Sequence, residues 1–131
     1  MYLLDTNICI YIINKQPKNV LKKILTLNPQ DIKISSISVA ELEYGAAKSK
    51  RRDQNRSALR NFLSSFEIIP FDTRDAEIFG IIRAELEHQG SPIGPYDMQL
   101  AAQALARDLT FITNNTAEFK RIAKLKLENW V

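Results

Sequence analysis

An α/β fold, with a parallel sheet enclosed between helices, is the fold class that this 131-residue sequence predicts. The alternation of two kinds of segment predicts this class, and two further observations indicate a single globular domain. Short apolar segments alternate along the chain with longer segments of helical periodicity. No repeat, low-complexity tract or linker divides the chain, so we expect a single domain over residues 1–131. Hydrophobic residues make up 45% and charged residues 25%, which is the balance of a globular protein. Strands that alternate with helices pair in parallel.

The first strand is predicted at Tyr2–Asp5, and the segment after it, Asn7–Ile13, is ambiguous. Its isoleucines favour a strand, but a strand that continues directly from Tyr2–Asp5 would leave no turn. We therefore predict a helix. This helix is apolar nearly all round, so it must be covered on more than one side. That indicates a dimer or a partner protein.

The remaining elements follow from apolar runs and helix signals. Pro17 suits the first turn of a helix. Gly90 is a helix stop, and the helix before it has Ile78, Ile81, Ile82 and Leu86 on one face. The other predicted strands are Ile32–Ser36, Glu67–Phe71, Leu109–Thr113 and Leu125–Trp130. The other predicted helices are Pro17–Asn28, a helix from Ser38 into the KSKRR run, Gln54–Phe66, Thr73–Gln89, Tyr96–Arg107 and Thr116–Ile122.

Composition excludes several classes of protein. No apolar stretch approaches the roughly 18 residues of a membrane span. The N-terminal run has no basic segment before it and contains Asp5, so it is not a signal peptide, and we expect a cytoplasmic protein. Cys9 is the single cysteine, which excludes an internal disulfide and a cysteine-cluster zinc site. We predict that Cys9 is a small core residue.

Four carboxylates are predicted at the same edge of the sheet. Asp5 ends the first strand, where burial of an unpaired charge would require a partner or an ion. Glu41 lies in the first turn of the helix after the second strand, and Glu118 lies in the short helix after the fourth. Asp97 lies in the first turn of the helix that leads into the fourth strand. In parallel α/β folds, ligands gather beyond the carboxyl ends of the strands.

Each carboxylate also has a purely structural interpretation. Ser38 and Glu41 fit a capping box, Glu118 has similar spacing from Asn115, and Asp97 could complement a helix dipole. No cap explains Asp5 well. Taken together, converging carboxylates repel one another unless a divalent cation neutralises them. Oxygen ligands without cysteine or histidine suit Mg²⁺ or Mn²⁺.

A basic segment lies between positions 48 and 60, although the net charge of the whole chain is only +3. It is either a surface for phosphates or a solvated helix face. Its basic residues are Lys48, Lys50, Arg51, Arg52, Arg56 and Arg60, against one acidic residue, Asp53.

Four motifs in order resemble those of the PIN domain and, more narrowly, of the VapC toxins of bacterial toxin–antitoxin pairs. They are LDTN at the end of the first strand, S-x-x-E-L-x-Y-G-A from Ser38, GPYD-x-x-L-A-A from Gly94 and TNN-x-x-EF from Thr113. The resemblance extends over essentially the whole chain. It implies a three-layer α/β/α sandwich with a five-stranded parallel sheet, and Mg²⁺-dependent endoribonuclease activity, with Mn²⁺ as a plausible substitute.

The resemblance also implies roles for particular residues. Asp5 and Asp97 hold the metal, and Glu41 completes the cluster directly or through water. Many PIN domains have a fourth acidic residue after the fourth strand, and Glu118 is the nearest carboxylate here. We expect activation of water for in-line attack, leaving 5′-phosphate and 3′-hydroxyl ends. Residues expected to orient the ligands or the scissile phosphate are Thr6, Asn7, Thr113 and Asn115. Residues expected to contact the RNA backbone are Lys48, Lys50, Arg51, Arg52 and Arg56.

Partners follow from the same resemblance. VapC toxins form homodimers and are inhibited by a VapB antitoxin, whose C-terminal segment wraps the toxin and blocks its acidic pocket. Relatives with this motif set include enzymes that cut tRNA in the anticodon stem-loop, initiator tRNA among them. The predicted partners are therefore an antitoxin, a second copy of the chain and an RNA, with no membrane.

Two other classes of function remain open. A phospho-acceptor domain would need a second acidic residue beside Asp5 and a lysine after a late strand, where Thr6-Asn7 and Thr113-Asn114 stand; Asp72 could imitate its acceptor. A haloacid-dehalogenase-like phosphatase would need an aspartate in place of Asn7. The other class is a catalytically silent binding module with the same fold and basic segment.

Overall fold

A five-stranded, all-parallel sheet organises the structure, a computed structural model that describes residues 1–131. The central strand pairs with a neighbour on each side, so that Tyr2 lies opposite both Ile32 and Thr110. This confirms the predicted fold class. The strands are β1 (Tyr2–Leu4), β2 (Ile32–Ser35), β3 (Glu67–Ile69), β4 (Thr110–Ile112) and β5 (Leu127–Glu128), and their order across the sheet is β3-β2-β1-β4-β5.

Seven α-helices lie on the two faces of the sheet, and none of them is both long and apolar enough to cross a membrane. A short 3₁₀ helix, Pro29–Asp31, precedes β2. The helices are α1 (Thr6–Asn14), α2 (Lys18–Leu25), α3 (Ser36–Lys48), α4 (Arg52–Leu63), α5 (Thr73–His88), α6 (Pro95–Ala106) and α7 (Thr116–Phe119).

The alternating side chains of β1 show the three-layer arrangement. Leu3 belongs to a hydrophobic cluster with residues of α5, α6 and α7, such as Leu86 and Leu100. Leu4 belongs to a second cluster with residues of α1 to α4, including Ile8. Successive side chains of a strand point to opposite faces of the sheet. The sheet is therefore the middle layer of the predicted sandwich, and each fully buried leucine in it contributes about 1.5–3 kcal/mol.

The ambiguous segment after β1 is a helix, as predicted. α1 begins at Thr6 with Asp5 as its N-cap, and ends before Lys15, whose φ of 58° is left-handed. Ile8 and the predicted core residue Cys9 are fully buried, whereas Ile10 is 38% exposed. The protein itself therefore covers one face of this apolar helix and leaves part of another open.

The start of α3 differs from the prediction. The Ser35 side chain accepts a hydrogen bond from the Ile37 N–H at 3.0 Å and caps the helix, so α3 begins at Ser36 directly after β2. The alternative interpretation of Ser38 and Glu41 as a capping box is therefore wrong. Glu41 lies in the second turn, not the first, and its carboxylate is free for other contacts.

Other helix boundaries also differ from the prediction. The helix predicted to run into KSKRR ends at Lys48, and α4 is a separate helix that begins at Arg52. The helix predicted at Pro17–Asn28 ends at Leu25. Ile81, predicted on the buried face of α5, is 59% exposed, whereas Ile82 and Leu86 are buried. The predicted stop at Gly90 is confirmed by its φ of 71°, which glycine adopts without strain.

Candidate active site

Asp5 lies where β1 leaves the sheet, and it is almost completely buried, with 7% of its surface exposed. One carboxylate oxygen accepts a hydrogen bond from the Thr6 N–H at 2.7 Å, and the other accepts one from Thr113 Oγ1 at 2.8 Å. Asp5 is thus the N-cap of α1, contrary to the expectation that no cap explains it. Thr113 follows β4, the neighbour of β1, so two adjacent strands jointly orient this carboxylate.

Those two hydrogen bonds do not remove the electrostatic cost of burying the charge. Burial raises the pKa of Asp5 most strongly, and the nearby carboxylates of Glu41 and Glu118 raise it further, against the lowering effect of the bonds from Thr113 and Thr6. A buried anion surrounded by other anions favours a proton or a cation beside it. Asp5 is the most buried member of the cluster.

Glu41 reaches the same region from α3. Its Oε1 accepts a hydrogen bond from Thr6 Oγ1 at 2.7 Å, and Thr6 Oγ1 lies 2.8 Å from Ser38 Oγ. Because the single hydroxyl hydrogen of Thr6 is donated to Glu41, Ser38 must donate to Thr6. The chain Ser38–Thr6–Glu41 joins the start of α1 to α3. Ser38, which the sequence placed in a cap, is instead a fully buried support of the site.

Asp97 and Glu118 complete the cluster. Asp97 lies in the first turn of α6, as predicted. Burial, followed by the carboxylates of Asp5, Glu118 and Glu41, raises the pKa of Asp97 to about 6. Glu118 lies in α7, where Asn115 Nδ2 donates a hydrogen bond to its Oε2. The structure therefore brings all four predicted carboxylates into one neighbourhood.

Only some of the other predicted residues join the hydrogen bonds around these carboxylates. The Asn115 N–H donates to Thr113 Oγ1 at 3.0 Å, so Thr113 is itself held in place. The Asn7 side chain is exposed and lies apart from these hydrogen bonds. The basic segment from Lys48 to Arg60 is exposed at the end of α3 and along α4, with Ser49 and Leu59 as its less exposed members.

The donor set has the chemistry of a site for a divalent cation. Its ligands are carboxylate oxygens, with no histidine among them, and hard oxygen ligands are those that Mg²⁺, Ca²⁺ and Mn²⁺ prefer. The carboxylates of Glu41 and Glu118 also raise the pKa of both Asp5 and Asp97, a repulsion that a bound cation would relieve. No group of three or more His, Cys, Asp or Glu side chains is already arranged to hold a metal ion. The residues fit such an ion in chemical type.

Asp72, the residue that could imitate a phospho-acceptor, has a structural role. Its side chain accepts from the Asp75 N–H at 3.1 Å, and Asp75 accepts from the Asp72 N–H at 2.9 Å, which forms a capping box at the start of α5. Arg107 Nη2 lies 3.4 Å from the Asp72 carboxylate. An aspartate engaged in this way gives no support to the phospho-acceptor interpretation.

We expect the stability of the cation-free protein to depend on pH through Asp97. Its pKa of about 6 in the folded protein lies above the ordinary value of 3.8. The folded state therefore binds this proton more tightly, and the resulting stabilisation is lost as the pH rises through 6. In EDTA, Asp97→Asn should melt at a higher temperature than the wild type at pH 7.5, and the gap should narrow at pH 4.5. Melting curves for both proteins test this, and a gap independent of pH would contradict it.

Two grooves flank Glu41. One, of about 230 Å³, lies between α1, α3 and α4 and is mostly apolar, with Ile10, Ile13 and Leu59 among its lining residues. The other, of about 490 Å³, is lined by Ile37, Ala40, Glu41, Tyr44 and Tyr96. Both grooves therefore open beside the carboxylate cluster.

Comparison with known proteins gives consistent results. A model of the PIN domain matches residues 2–125. The ribonuclease VapC2 of Rickettsia felis is 48% identical over 131 residues, which cover 99% of this chain and 98% of that protein. The tRNA(fMet)-specific endonuclease VapC of Shigella flexneri is 41% identical over 129 residues, covering 98% and 97% of the two chains.

Two solved structures are similar over almost their whole length. The structure of VapBC2 from Rickettsia felis, bound to a DNA fragment from its promoter, superimposes with a TM-score of 0.93 at 47% identity, covering 99% of this chain and 98% of that one. The DNA-bound VapBC of Salmonella typhimurium has a TM-score of 0.93 at 41% identity, with the same coverage.

Proposed function

The chain belongs to the PIN-domain family, and from that premise we propose that it is a VapC-type endoribonuclease, the toxin of a type II toxin–antitoxin module. It hydrolyses RNA phosphodiesters and so inhibits translation in the cytoplasm, with Mg²⁺ as its cofactor. The observation that supports this proposal most directly is the convergence of Asp5, Glu41, Asp97 and Glu118, where burial, followed by repulsion from the other three carboxylates, raises the pKa of Asp97 to about 6.

We assign the cation to Asp5, Asp97 and Glu41, with Glu118 as a fourth catalytic carboxylate. When bound, Mg²⁺ supplies positive charge to the phosphoryl oxygens and acidifies the attacking water. A carboxylate oxygen has two lone-pair directions, so the oxygens of Asp5 remain able to bind an ion while they accept hydrogen bonds.

The surrounding hydrogen bonds fix the orientation of these ligands. Thr6 N–H and Thr113 Oγ1 each hold one oxygen of Asp5, and Thr6 Oγ1 holds one oxygen of Glu41. Locked carboxylates lose little freedom when an ion binds. The single histidine, His88, is exposed at the end of α5, so the donors that this site offers to a cation are carboxylates rather than an imidazole.

The basic segment is assigned to the RNA backbone. We expect Arg51→Gln combined with Arg56→Gln to reduce the slope of log K against log salt concentration by about 1.5 to 2. Binding with two fewer phosphate contacts releases fewer counterions from the RNA. Fluorescence anisotropy of tRNA binding in EDTA, over a series of salt concentrations, measures this slope. Arg83→Gln on α5, which removes an exposed arginine paired with Glu87, is the control. An unchanged slope in the double variant would show that this segment is only a solvated surface.

The apolar groove between α1, α3 and α4 is assigned to a VapB-type antitoxin. Similar solved structures are VapBC complexes. The groove adjoins Glu41, so a segment bound in it could place a cationic side chain at the carboxylates. We also propose that the protein forms a homodimer.

The substrate that we propose is tRNA, including the anticodon stem-loop of the initiator tRNA, as the name of the Shigella flexneri relative suggests. Incubation of total tRNA with the purified protein, followed by mapping of the cut ends, tests the whole proposal. We expect cleavage with Mg²⁺ that yields 5′-phosphate ends and is absent in EDTA. RNA binding without cleavage of any RNA would instead favour the silent binding module.

A further inference from the structure

Two exposed tyrosines lie beside the carboxylate cluster. Tyr44 is 65% exposed and Tyr96 is 59% exposed, and both line the groove of about 490 Å³ that also contains Glu41. Tyr44 is on α3, one turn after Glu41, and Tyr96 directly precedes Asp97 on α6. Large exposed aromatic side chains grouped beside a functional site indicate a surface that binds something.

The face of α3 that lines this groove changes in charge along its length. Glu41, Tyr44 and Lys48 are spaced three and four residues apart, so they share one face of the helix. Lys48 Nζ lies 4.8 Å from the centroid of the Tyr44 ring, a cation–π contact. Glu41 and Lys48 are separated by about 10 Å along the helix axis. The face thus presents a carboxylate, then an aromatic ring, then a cation.

We propose that Tyr44 and Tyr96 stack on an unpaired nucleobase next to the scissile phosphate, while Lys48 contacts a neighbouring phosphate. This inference rests on the proposed ribonuclease function and adds determinants of substrate binding to it. Proteins recognise single-stranded RNA by stacking its bases on aromatic side chains within positively charged grooves. The volume of the groove lies in the range of small-ligand sites.

The charges on this face favour RNA over a protein as the occupant. A protein partner that covered the groove would desolvate Glu41 and Lys48, and the centres of protein interfaces are depleted of charged residues. An RNA strand can instead place phosphates at both charged ends, one at the cation held by the carboxylates and one at Lys48. The apolar wall of Ile37 and Ala40 would then contact the base.

Fluorescence anisotropy in EDTA tests the stacking directly. The probes are a labelled single-stranded RNA of about 12 nucleotides and the same strand with abasic sites in its centre. We expect the wild type to bind the intact strand about tenfold more tightly, and we expect Tyr44→Ala or Tyr96→Ala to remove most of that preference. Tyr44→Phe and Tyr96→Phe should retain it, because a phenyl ring still stacks.

Two further variants separate stacking from charge and from general surface effects. Lys48→Gln should lower the salt slope by about one while the preference for the intact strand persists. Leu25→Ala removes a 77% exposed apolar side chain on α2, and it should change neither quantity.

The proposal is overturned if the tyrosine-to-alanine variants keep the wild-type preference for intact RNA. It is also overturned if those variants elute as monomers where the wild type is a dimer, since the surface would then be a contact between copies. Because binding is measured without a cation, failure of the wild type to cleave total tRNA would refute the proposed function separately. If the wild type cleaves total tRNA but binds the intact and the abasic strands equally, only the stacking proposal is refuted.

Discussion

Asp5→Asn should lower the rate of RNA cleavage by at least about 10³-fold. A bound cation at such a site contributes several kcal/mol to the transition state, and each 1.36 kcal/mol is a factor of ten in rate. Asparagine keeps the size of the side chain and an oxygen that can accept the hydrogen bond from Thr113, but it removes the most buried negative charge of the cluster. Single-turnover cleavage of total tRNA in Mg²⁺ measures the effect.

Loss of the fold would give the same loss of activity, so stability must be measured as well. Burial raises the pKa of Asp5, which means that its charge is unfavourable in the cation-free protein. We therefore expect Asp5→Asn to melt no lower than the wild type in EDTA. Asp31→Asn is the matched control, because Asp31 precedes β2 at the opposite end of the sheet. This variant should cleave RNA at the wild-type rate. Cleavage by Asp5→Asn at the wild-type rate would refute the assignment of the site.

Arg107→Ala should lower the free energy of unfolding by about 3 kcal/mol. Asp75 is fully buried at the start of α5, and its Oδ1 accepts a hydrogen bond from Arg107 Nη1. Arg107 also donates to the Pro70 carbonyl oxygen at 3.2 Å, so one guanidinium joins the end of α6 to the β3–α5 connection. Removing one partner of a buried ion pair leaves an uncompensated charge, which costs about 3–5 kcal/mol. The Arg107 side chain is 26% exposed, which favours the lower value.

Urea denaturation of matched variants tests this expectation. Lys126→Ala removes an exposed ion pair with Asp108, and exposed pairs contribute about 1 kcal/mol or less. Arg107→Lys keeps the positive charge but loses the planar pair of donors, so it should lie between the wild type and Arg107→Ala. If Arg107→Ala and Lys126→Ala lower the free energy of unfolding equally, the buried ion pair contributes no more to stability than an exposed one.

Arg107 and Asp75 also show what a sequence does not disclose. Arg107 lies 32 positions after Asp75, most of two helices and a loop lie between them, and no local pattern marks them as partners. The sequence signal that existed was the spacing of Asp72 and Asp75, which predicts a cap rather than a buried ion pair. Ile81 shows the same limit. The helical period predicted it on the buried face of α5, but it is exposed, whereas the next residue, Ile82, is buried.

The predicted site was more accessible to sequence reasoning than these contacts. Each carboxylate follows a strand or begins a helix that leads back to one, and the carboxyl ends of parallel strands share one edge of the sheet. Their grouping therefore followed from topology alone. Glu41 was placed near the site for this reason, and the alternative, a capping box with Ser38, is excluded because Ser35 caps α3.

The sequence by itself thus determined the parallel α/β architecture, the helical state of the segment after β1 and the four carboxylates at one edge. These depend on periodicity, turns and strand order, which are local or topological properties. Only the tertiary structure decided which side chains meet across elements. Thr6 bonds to Glu41 across 35 residues of sequence, and Tyr44 and Tyr96 come to line one groove from two different helices. Such contacts depend on how each helix is rotated and packed against the sheet, and the local sequence pattern constrains that rotation only to within about one face of the helix.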